Sequence, residues 1–386
     1  MKLAGSDKSI RYNRFGRSRR RRPLWRRLLA PLLLLAVATG ASVWGVGLLD
    51  SSKQPQDAMP RQSTAPAPTE RTAALPALNL PADDAPHGSA MEWWYYSGLL
   101  DGPAGQRWAF HVAVFVANNL IKHTVMHAAL TDLATGRRHL AQRRTAGLPA
   151  RADAGFDFRD AGWSLRGHGA AHRFSLDDVD GASLSLDLQD SQPVVAHRAS
   201  GSLTPGLLDF GDAGISYYYS RPRMTARGTV RTAGAQQAVT GTVWFDHQWG
   251  AFDVSRLGWN WFALHFSDGS DLMVYQLFDR QGLPVTTTGT LVQPGGTSRP
   301  LAPNEVSMAP IQRWVSRQSR IEYPVGWRLQ LPWGEAVISP MREDSEFDAG
   351  ASSANIYWEG PVTVRGARTG EGFMELSGYA PQAARR

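Results

Sequence analysis

Residues 108–116 read WAFHVAVFV, with large apolar side chains at positions 108, 110, 112, 114 and 116. Successive side chains of a β-strand point to opposite faces of the sheet, so this period of two predicts a strand with one strongly apolar face. Turn segments that contain Gly separate four further pairs of such runs: 224–231 and 238–244, 262–266 and 272–278, 286–293 and 299–301, 355–366 and 372–379. No segment shows a sustained helical period of 3.6, so the sequence predicts antiparallel barrels or sandwiches.

The length and composition fit two β-domains. A chain of 386 residues leaves room for about two domains of ordinary size. The 14 Trp and 38 Gly, with only 19% charged residues, are typical of an aromatic-rich β protein. We therefore expect an all-β fold with two consecutive antiparallel β-barrels, an N-terminal domain at 81–252 and a C-terminal domain at 253–386. The absence of cysteine excludes disulfides, thiol nucleophiles and a lipoprotein anchor.

The net charge of +7 comes from one end of the chain. Residues 1–27 hold eleven Lys and Arg but a single acidic residue, which gives this stub a charge of +10. The remainder has 30 Lys and Arg against 33 Asp and Glu, or −3. The basic balance therefore does not indicate a nucleic-acid partner for the folded part.

Residues 28–49 contain no charged side chain and are long enough to cross a membrane. Because the positive charges precede this run, we expect a cytoplasmic N-terminus and a single-pass anchor in the bacterial inner membrane, with the bulk of the protein in the periplasm. The alternative is a signal peptide cleaved after residues 36–38, which would release the protein into the periplasm. Residues 50–80, rich in Pro and Ala, predict an extended linker.

Three aromatic clusters are candidate functional sites. In the first, alternation places Glu92 and Trp94 on one face of a strand and Trp93 and Tyr95 on the other. A carboxylate inside such a run must be paired or hydrogen-bonded when buried. Glu92 is therefore either an acid or polar anchor in a ligand cavity, or a structural carboxylate. Trp93, Trp94 and Tyr95 are candidate ligand contacts.

The second cluster, residues 241–250, contains Asp246, His247 and Trp249. Asp246 and His247 are candidate catalytic groups, and Trp249 is a candidate ligand contact on the same face as His247. Adjacent residues of a strand point to opposite faces, so Asp246 and His247 do not form a catalytic dyad by themselves. A supporting role for one of them is favoured over two catalytic roles.

The third cluster contains Trp358 and Glu359, with Glu375 on the following strand. We retain Trp358 and Glu359 as candidate ligand contacts, although a structural or inter-domain role is favoured for this cluster.

Other kinds of site are not supported by the sequence. His111, His123 and His127 could face one way from neighbouring strands, but their spacing is generic, and we expect no metal and no cofactor. The tyrosine run 217–219 could stack on nucleic acid, but export and a charge of −3 argue against that partner. The sequence has no nucleophile elbow of the Gly-x-Ser-x-Gly type and no phosphate-binding loop.

The blocks at 92–95, 241–250 and 357–360 resemble, in the same order, those of the carotenoid 1,2-hydratase/AttH-like proteins. The resemblance spans about residues 83–383, and the block at 241–250 is the most specific. It implies two lipocalin-like (calycin) barrels in an exported protein, with an apolar small molecule such as a lipid or isoprenoid as ligand. For AttH-like members it also implies an ABC transporter as a partner.

The hydratase branch of that family adds water across a terminal carotenoid double bond. This chemistry needs an acid, aromatic faces that stabilise a cation, and a positioned water. The His-x-Trp pair of that branch matches His247 and Trp249. Its Tyr-x-Asp pair matches Tyr275, a further candidate ligand contact, but Leu277 stands at the position of the acid.

Two functions therefore follow as alternatives. The first is a membrane-anchored periplasmic protein that binds or handles an apolar ligand, which Leu277 favours. The second is a hydratase-like lyase or a hydrolase acting through Asp246, His247 and Glu92, with Asp246, Glu92 or Asp279 replacing the missing acid.

Overall fold

The protein is described here by a computed structural model that covers residues 75–118, 122–149, 152–199, 204–253, 256–353 and 355–380. The predicted basic stub, the predicted anchor at 28–49 and most of the predicted linker lie outside these residues. Within the described ranges, no helix is both long enough and apolar enough to span a bilayer.

The first sheet is antiparallel and contains twelve strands. Their bounds are β1 (Met91–Asp101), β2 (Arg107–Asn118), β3 (Lys122–Asp132), β4 (Arg138–Ala146), β5 (Phe156–Asp160), β6 (Trp163–His168), β7 (Ala171–Val179), β8 (Ala182–Asp190), β9 (Val195–Ala196), β10 (Leu207–Asp209), β11 (Gly214–Thr232) and β12 (Ala235–Phe252). Three short 3-10 helices lie at Ala82–Asp84, Pro103–Gly105 and Gly211–Ala213.

The first sheet curls into a nearly closed barrel. Its strand order is β4-β3-β2-β1-β12-β11-β8-β7-β6-β5, with β9 and β10 paired to β11, and β4 packs against β7 to narrow the opening. Alternate residues of each strand fill the interior, as Trp94 and Tyr96 do from β1. The aromatic side chains on this face therefore form a packed core.

The long hairpin β11–β12 shows how local sequence sets this geometry. Its turn residues Ala233 and Gly234 both have positive φ, as a two-residue hairpin turn of type I′ requires. Further along, the pairing slips between Arg221 and Met224, and Pro222 lies at this bulge. Proline has no N–H to donate to the ladder, so a bulge is one of the few places where a sheet accepts it.

The second sheet contains ten antiparallel strands. Their bounds are β13 (Gly258–Phe266), β14 (Asp271–Phe278), β15 (Pro284–Val292), β16 (Ser298–Pro300), β17 (Ser307–Val315), β18 (Glu322–Leu331), β19 (Gly334–Pro340), β20 (Glu346–Ala349), β21 (Asn355–Gly366) and β22 (Gly370–Ser377).

The second sheet forms a half-barrel. Its order is β16-β15-β14-β13-β22-β21-β19-β18-β17, with β20 paired to β21, and its core contains Phe262, Trp327 and Trp358. Edge strand β17 is almost entirely exposed, so it offers no continuous apolar face for closure. The all-β prediction is confirmed, but the expectation of two closed barrels holds in the coarser form of one nearly closed barrel and one half-barrel.

Both sheets share a topology. In each, the first strand lies between the second strand and the last strand, so that β1 pairs with β2 and β12, and β13 pairs with β14 and β22. A third apolar cluster lies where these central strands face one another, and it includes Tyr95, Trp244, Trp261 and Phe373. The layer between the sheets is therefore built from the outward faces of the central strands.

Candidate functional site

The structure divides the predicted site residues among three places. Glu92, Trp94, His247 and Trp249 point into the first barrel; Trp93, Tyr95, Asp246, Tyr275 and Glu359 face the layer between the sheets; Trp358 lies in the core of the half-barrel. Each contiguous motif is split because neighbouring residues of a strand point to opposite faces.

At one end of the first barrel, His87, Glu92 and His247 form a group that we call the barrel-end cluster. Glu92 Oε1 lies 2.8 Å from His87 Nδ1 and 2.9 Å from His247 Nε2. The backbone N–H of His87 also donates to Glu92 Oε2 at 3.0 Å. Glu92 and His247 are completely buried, whereas the side chain of His87 is 22% exposed. The histidines thus hold the carboxylate from two elements of the fold.

Aromatic rings fix the two imidazoles of the barrel-end cluster. Trp249 stacks on His87 with ring centroids 3.9 Å apart, and Trp94 stacks on His247 at 4.3 Å. Burial opposes ionisation of Glu92, but the hydrogen bonds from His247 and His87 outweigh it and lower the pKa of Glu92 below its ordinary value. Burial lowers the pKa of His247, although the bond to Glu92 opposes this shift.

A buried ion pair lies behind the barrel-end cluster. Tyr219 donates to Asp84 Oδ1 and lies 3.3 Å from His247 Nδ1. Arg221 Nη2 donates to Asp84 Oδ1 at 3.0 Å, and Arg221 Nη1 donates to Asp190. Sequence reasoning missed Asp84 and considered the run that contains Tyr219 only as a surface for nucleic acid, because nothing in the local pattern shows that residue 84 crosses the barrel end to meet β11.

Asp246 lies on the other face of β12, between the sheets. Three groups donate to its carboxylate: Tyr218 Oη at 2.7 Å, Trp244 Nε1 at 2.7 Å, and Ser220 Oγ. Burial raises the pKa of Asp246 to about 7, against the effect of these three donors. Trp261 Nε1 donates to Tyr218 Oη at 3.0 Å, so Asp246 also ties the two sheets together.

The half-barrel presents a row of side chains to the same layer. Pairing in register brings Tyr275, Trp261, Glu375 and Glu359 side by side across β14, β13, β22 and β21. Side chains directly opposite in an antiparallel pair have Cβ atoms about 5 Å apart, so the two glutamates are neighbours. We call Glu359 and Glu375, with Trp261 and Tyr275, the acidic row.

The carboxyl groups of the acidic row favour the protonated form. Burial raises the pKa of Glu359 well above its ordinary range, and the neighbouring Glu375 adds to the shift. Burial raises the pKa of Glu375 to about 7, although a hydrogen bond from Trp259 opposes it. Tyr95 donates a short hydrogen bond to Glu359 Oε1, and His111 Nδ1 lies 3.5 Å from its other oxygen.

A cleft opens between the two sheets. It has a volume of about 530 Å³, and its lining includes Ser97, Trp244, Ala263 and Phe373. Three of these residues precede or follow a residue of the site by one step on the same strand face: Ser97 follows Tyr95, Ala263 follows Trp261, and Phe373 precedes Glu375. Glu375 itself is half-buried. The lining of the cleft therefore stops one step short of Trp261 and Glu375 along their strand faces.

Glu375 is the main functional candidate that sequence reasoning did not select. The only available signal was its alternation with Phe373 on a strand that follows Glu359, and the pairing partner of that strand was unknown. The histidines considered as a metal group do not converge, because His127 bonds to Tyr357 Oη and Ser352 Oγ on opposite sides of its ring.

Comparisons with known proteins agree on the family and the fold. The AttH-like family profile matches residues 71–379. An AttH-type structure from Nitrosomonas europaea superposes with a TM-score of 0.72 and 28% identity, covering 82% of this chain and all of that one. Kievitone hydratase from Nectria haematococca superposes with a TM-score of 0.64 at 19% identity, covering 79% of this chain and 94% of that one, which shows the fold alone.

A curated relative adds a match in sequence. Kievitone hydratase from Fusarium solani subsp. phaseoli is 24% identical over 174 residues, which cover 44% of this chain. The match spans about half the length of that relative, 49%.

Proposed function

Because the chain belongs to the AttH-like family, we propose that it is a hydratase-like lyase that adds water to a carbon–carbon double bond of an apolar substrate. The observation that carries this proposal is the acidic row, where two adjacent carboxyl groups lie between the sheets next to Trp261, one step along the strand face from the lining of a cleft. The relation to a kievitone hydratase supports the same class of reaction.

Protonation of an alkene carbon needs a neutral acid next to an apolar binding site. Glu375 is half-buried, follows the cleft residue Phe373 by one step on the same strand face and has a pKa of about 7, so it is the proposed proton donor. Glu359 is more deeply buried and raises the electrostatic cost of ionising the pair. Its role is to keep the proton on the pair until substrate arrives.

The reaction then proceeds in two balanced steps. Glu375 transfers its proton to one alkene carbon, and the π electron pair forms the new C–H bond, which leaves a carbocation on the other carbon. Trp261 lies beside Glu375 in the row and Tyr275 lies beside Trp261, and in this proposal the aromatic rings stabilise that cation. Water forms the C–O bond and returns a proton to the Glu375 carboxylate, which restores the acid.

A second candidate function is binding without chemistry. Leu277 faces the same layer as Tyr275 and is 8% exposed, which makes this end of the row apolar where the hydratase branch has an acid. A carrier of a lipid or isoprenoid would use the cleft and the aromatic side chains Trp93, Tyr95 and Tyr275. Partnership with an ABC transporter belongs to this second proposal.

The catalytic roles predicted for Asp246, His247 and Glu92 stay predictions. The three donors around Asp246 favour a positioning role, in which it holds Tyr218 and Trp261. Glu92 and His247 bond to each other inside the first barrel, on β1 and β12, whereas the proposed site lies on strands of the half-barrel.

Turnover tests the proposal directly. The full-length protein is incubated with an acyclic carotenoid in ¹⁸O-labelled water, and the product is analysed by mass spectrometry for a labelled tertiary alcohol. We expect product from the wild type and a loss of about 100-fold or more in kcat for Glu375→Gln, since general acid catalysis contributes about 10²–10⁴-fold. The matched control is Glu322→Gln, a glutamate of the same sheet in an exposed ion pair with Arg313.

Each outcome decides between the candidates. Unchanged turnover in Glu375→Gln would show that another group donates the proton. Binding of the carotenoid to the wild type without product would support the carrier and contradict the lyase. Absence of both binding and product with acyclic carotenoids, and with alkene-containing lipids offered in parallel, would contradict both candidates.

Attachment to the membrane through residues 28–49 and a location in the periplasm are separate proposals. N-terminal sequencing of the mature protein distinguishes an anchor from a cleaved signal. An intact N-terminus supports the anchor, whereas a start near Thr39 supports secretion after cleavage.

A further inference from the structure

The barrel-end cluster has the composition of a metal site. Among the residues that the structure describes, His87, Glu92 and His247 are the one group of three whose donor atoms all lie within 4.8 Å of one another. Two imidazole nitrogens and one carboxylate oxygen are donors that suit Zn²⁺, and three protein ligands with one open position is a common zinc geometry.

The distances are close to those of a tetrahedral ion. Zinc bonds of about 2.0 Å to nitrogen and oxygen place neighbouring ligand atoms about 3.3 Å apart. The separations from Glu92 Oε1 are 2.8 Å to His87 Nδ1 and 2.9 Å to His247 Nε2, each a few tenths of an ångström short of this value, and the two imidazole donors lie within 4.8 Å of each other. The second carboxylate oxygen is already held by the backbone N–H of His87, which favours binding through Oε1 alone.

Both histidines have the outer partners that metal-binding histidines use. His87 Nε2 lies 3.5 Å from Asp83 Oδ1, and His247 Nδ1 lies 3.3 Å from Tyr219 Oη, which in turn donates to Asp84. Such partners orient the ring and raise the basicity of the nitrogen that binds the metal.

The hydrogen bonds also place a lone pair where the ion would lie. Tyr219 has one hydroxyl proton and donates it to Asp84, so towards His247 its oxygen acts as an acceptor. In the tautomer of His247 that donates from Nδ1 to this oxygen, Nε2 presents a lone pair to Glu92 Oε1 at 2.9 Å. Two acceptors at this distance require a cation between them, either a proton or a metal ion.

From these observations we propose that His87, Glu92 and His247 bind one Zn²⁺, with water from the exposed side of His87 as the fourth ligand. The site is independent of the acidic row, because it lies inside the first barrel. The ion would join the segment before β1 to β1 and β12, and would stabilise that end of the barrel.

Calorimetry and elemental analysis test the proposal on untagged, full-length protein freed of metal with a chelator. We expect one Zn²⁺ per chain in the wild type, and tetrahedral absorption bands when Co²⁺ replaces it. Asp83→Asn should weaken zinc binding about 10-fold, the cost of losing an outer partner. His87→Ala should weaken it by more than the roughly 100-fold upper limit for such partners.

The control is His168→Ala, which removes an exposed histidine of the same sheet and should leave zinc binding unchanged. If His87→Ala fails to fold, as judged by circular dichroism, the comparison of Asp83→Asn with His168→Ala decides. Absence of zinc binding by the wild type would overturn the proposal, as would equal zinc affinity in the barrel-end variants and the control. In that case a proton, and not a metal ion, lies between Glu92 and the histidines.

Discussion

The barrel-end cluster lies inside the first barrel, the acidic row lies on the half-barrel facing the layer between the sheets, and the two sites have opposite effects on their carboxyl groups. In the first barrel, Glu92 is paired with two histidines, and Asp84 with Arg221. Between the sheets, Glu359 accepts from a tyrosine and neighbours Glu375. Pairing with cationic or imidazole groups favours ionised carboxylates, whereas burial beside another acid favours protonated ones. The pKa of Glu92 is therefore lowered inside the first barrel, whereas the pKa values of Glu359 and Glu375 are raised between the sheets.

Removal of the buried ion pairs of Arg221 should cause a large loss of unfolding free energy. Arg221→Met leaves Asp84 and Asp190 without their guanidinium partner in a buried site. Loss of one partner of a buried pair costs about 3–5 kcal/mol, because an uncompensated charge remains. Urea unfolding measures the change.

The control for that prediction is Arg159→Met, since Arg159 forms its ion pair with Asp157 on the surface. Its unfolding midpoint should match that of the wild type. Equal midpoints for the two arginine variants would contradict the buried role of Arg221.

Two adjacent tryptophans sharpen the comparison of the two faces. Trp94 is fully buried in the first barrel, whereas Trp93 is half-buried between the sheets. Trp94→Ala should cost about 3–5 kcal/mol in unfolding free energy, because it leaves a large cavity. Trp93→Ala should cost about 1 kcal/mol, the typical value for a single substitution, and should weaken binding of an apolar ligand instead.

Thermal or urea unfolding and a fluorescence titration with an acyclic carotenoid measure both properties of each tryptophan variant. Normal ligand affinity in folded Trp93→Ala, together with weakened affinity in Trp94→Ala, would place the ligand inside the barrel and reverse the assignment.

The acidic row predicts a specific pH dependence of stability. The pKa of Glu375 is raised from 4.5 to about 7, so between these values the folded state binds more protons than the unfolded state. The contribution of Glu375 is fully present below pH 4.5 and is lost as the pH rises to about 7. Glu375→Gln should therefore flatten the decline in unfolding free energy across this interval.

Urea unfolding at several pH values gives the slope of unfolding free energy against pH for the wild type and for Glu375→Gln. The control Glu322→Gln should keep the slope of the wild type. A Glu375→Gln variant with the same slope as the wild type would contradict a raised pKa at this position.

The polar link between the sheets should contribute least. His197 bonds to Ser220 Oγ at 2.6 Å and to Thr290 Oγ1 of the half-barrel at 2.9 Å. Thr290→Val removes one of these bonds while keeping the shape of the side chain, and should cost about 1 kcal/mol. Thermal unfolding measures the effect.

The companion variant is Thr287→Val, since Thr287 is half-buried and accepts a side-chain bond from the half-buried Gln276 of its own sheet. We expect Thr290→Val to lose much more stability in thermal unfolding than Thr287→Val. Equal losses of stability in the two variants would show that the bond between His197 and Thr290 adds no more stability than a bond within one sheet.

Local pattern predicted much of this fold because strand alternation is a local property. The period of two around Phe110 and the Gly-containing turns located the strands, and alternation alone separated His247 from Asp246. The closure of a sheet depends on how its edges meet, so the half-barrel could not be read from the same pattern.

The candidate site depended on pairing between distant strands. Trp261 and Glu375 are far apart in sequence, and only the pairing of β13 with β22 makes them neighbours. The same holds for His87 and His247, which meet through Glu92. Residue types and alternation indicated which side chains were chemically suited, but long-range register determined which of them came together.

The position of a bound ligand tests the central assignment most directly. A crystal structure of the full-length protein with an acyclic carotenoid should show the hydrocarbon chain in the cleft between the sheets, with a double bond beside Glu375 and in contact with Trp261. A ligand inside the first barrel, beside His247 and Trp249, would contradict the assignment of the functional site to the layer between the sheets.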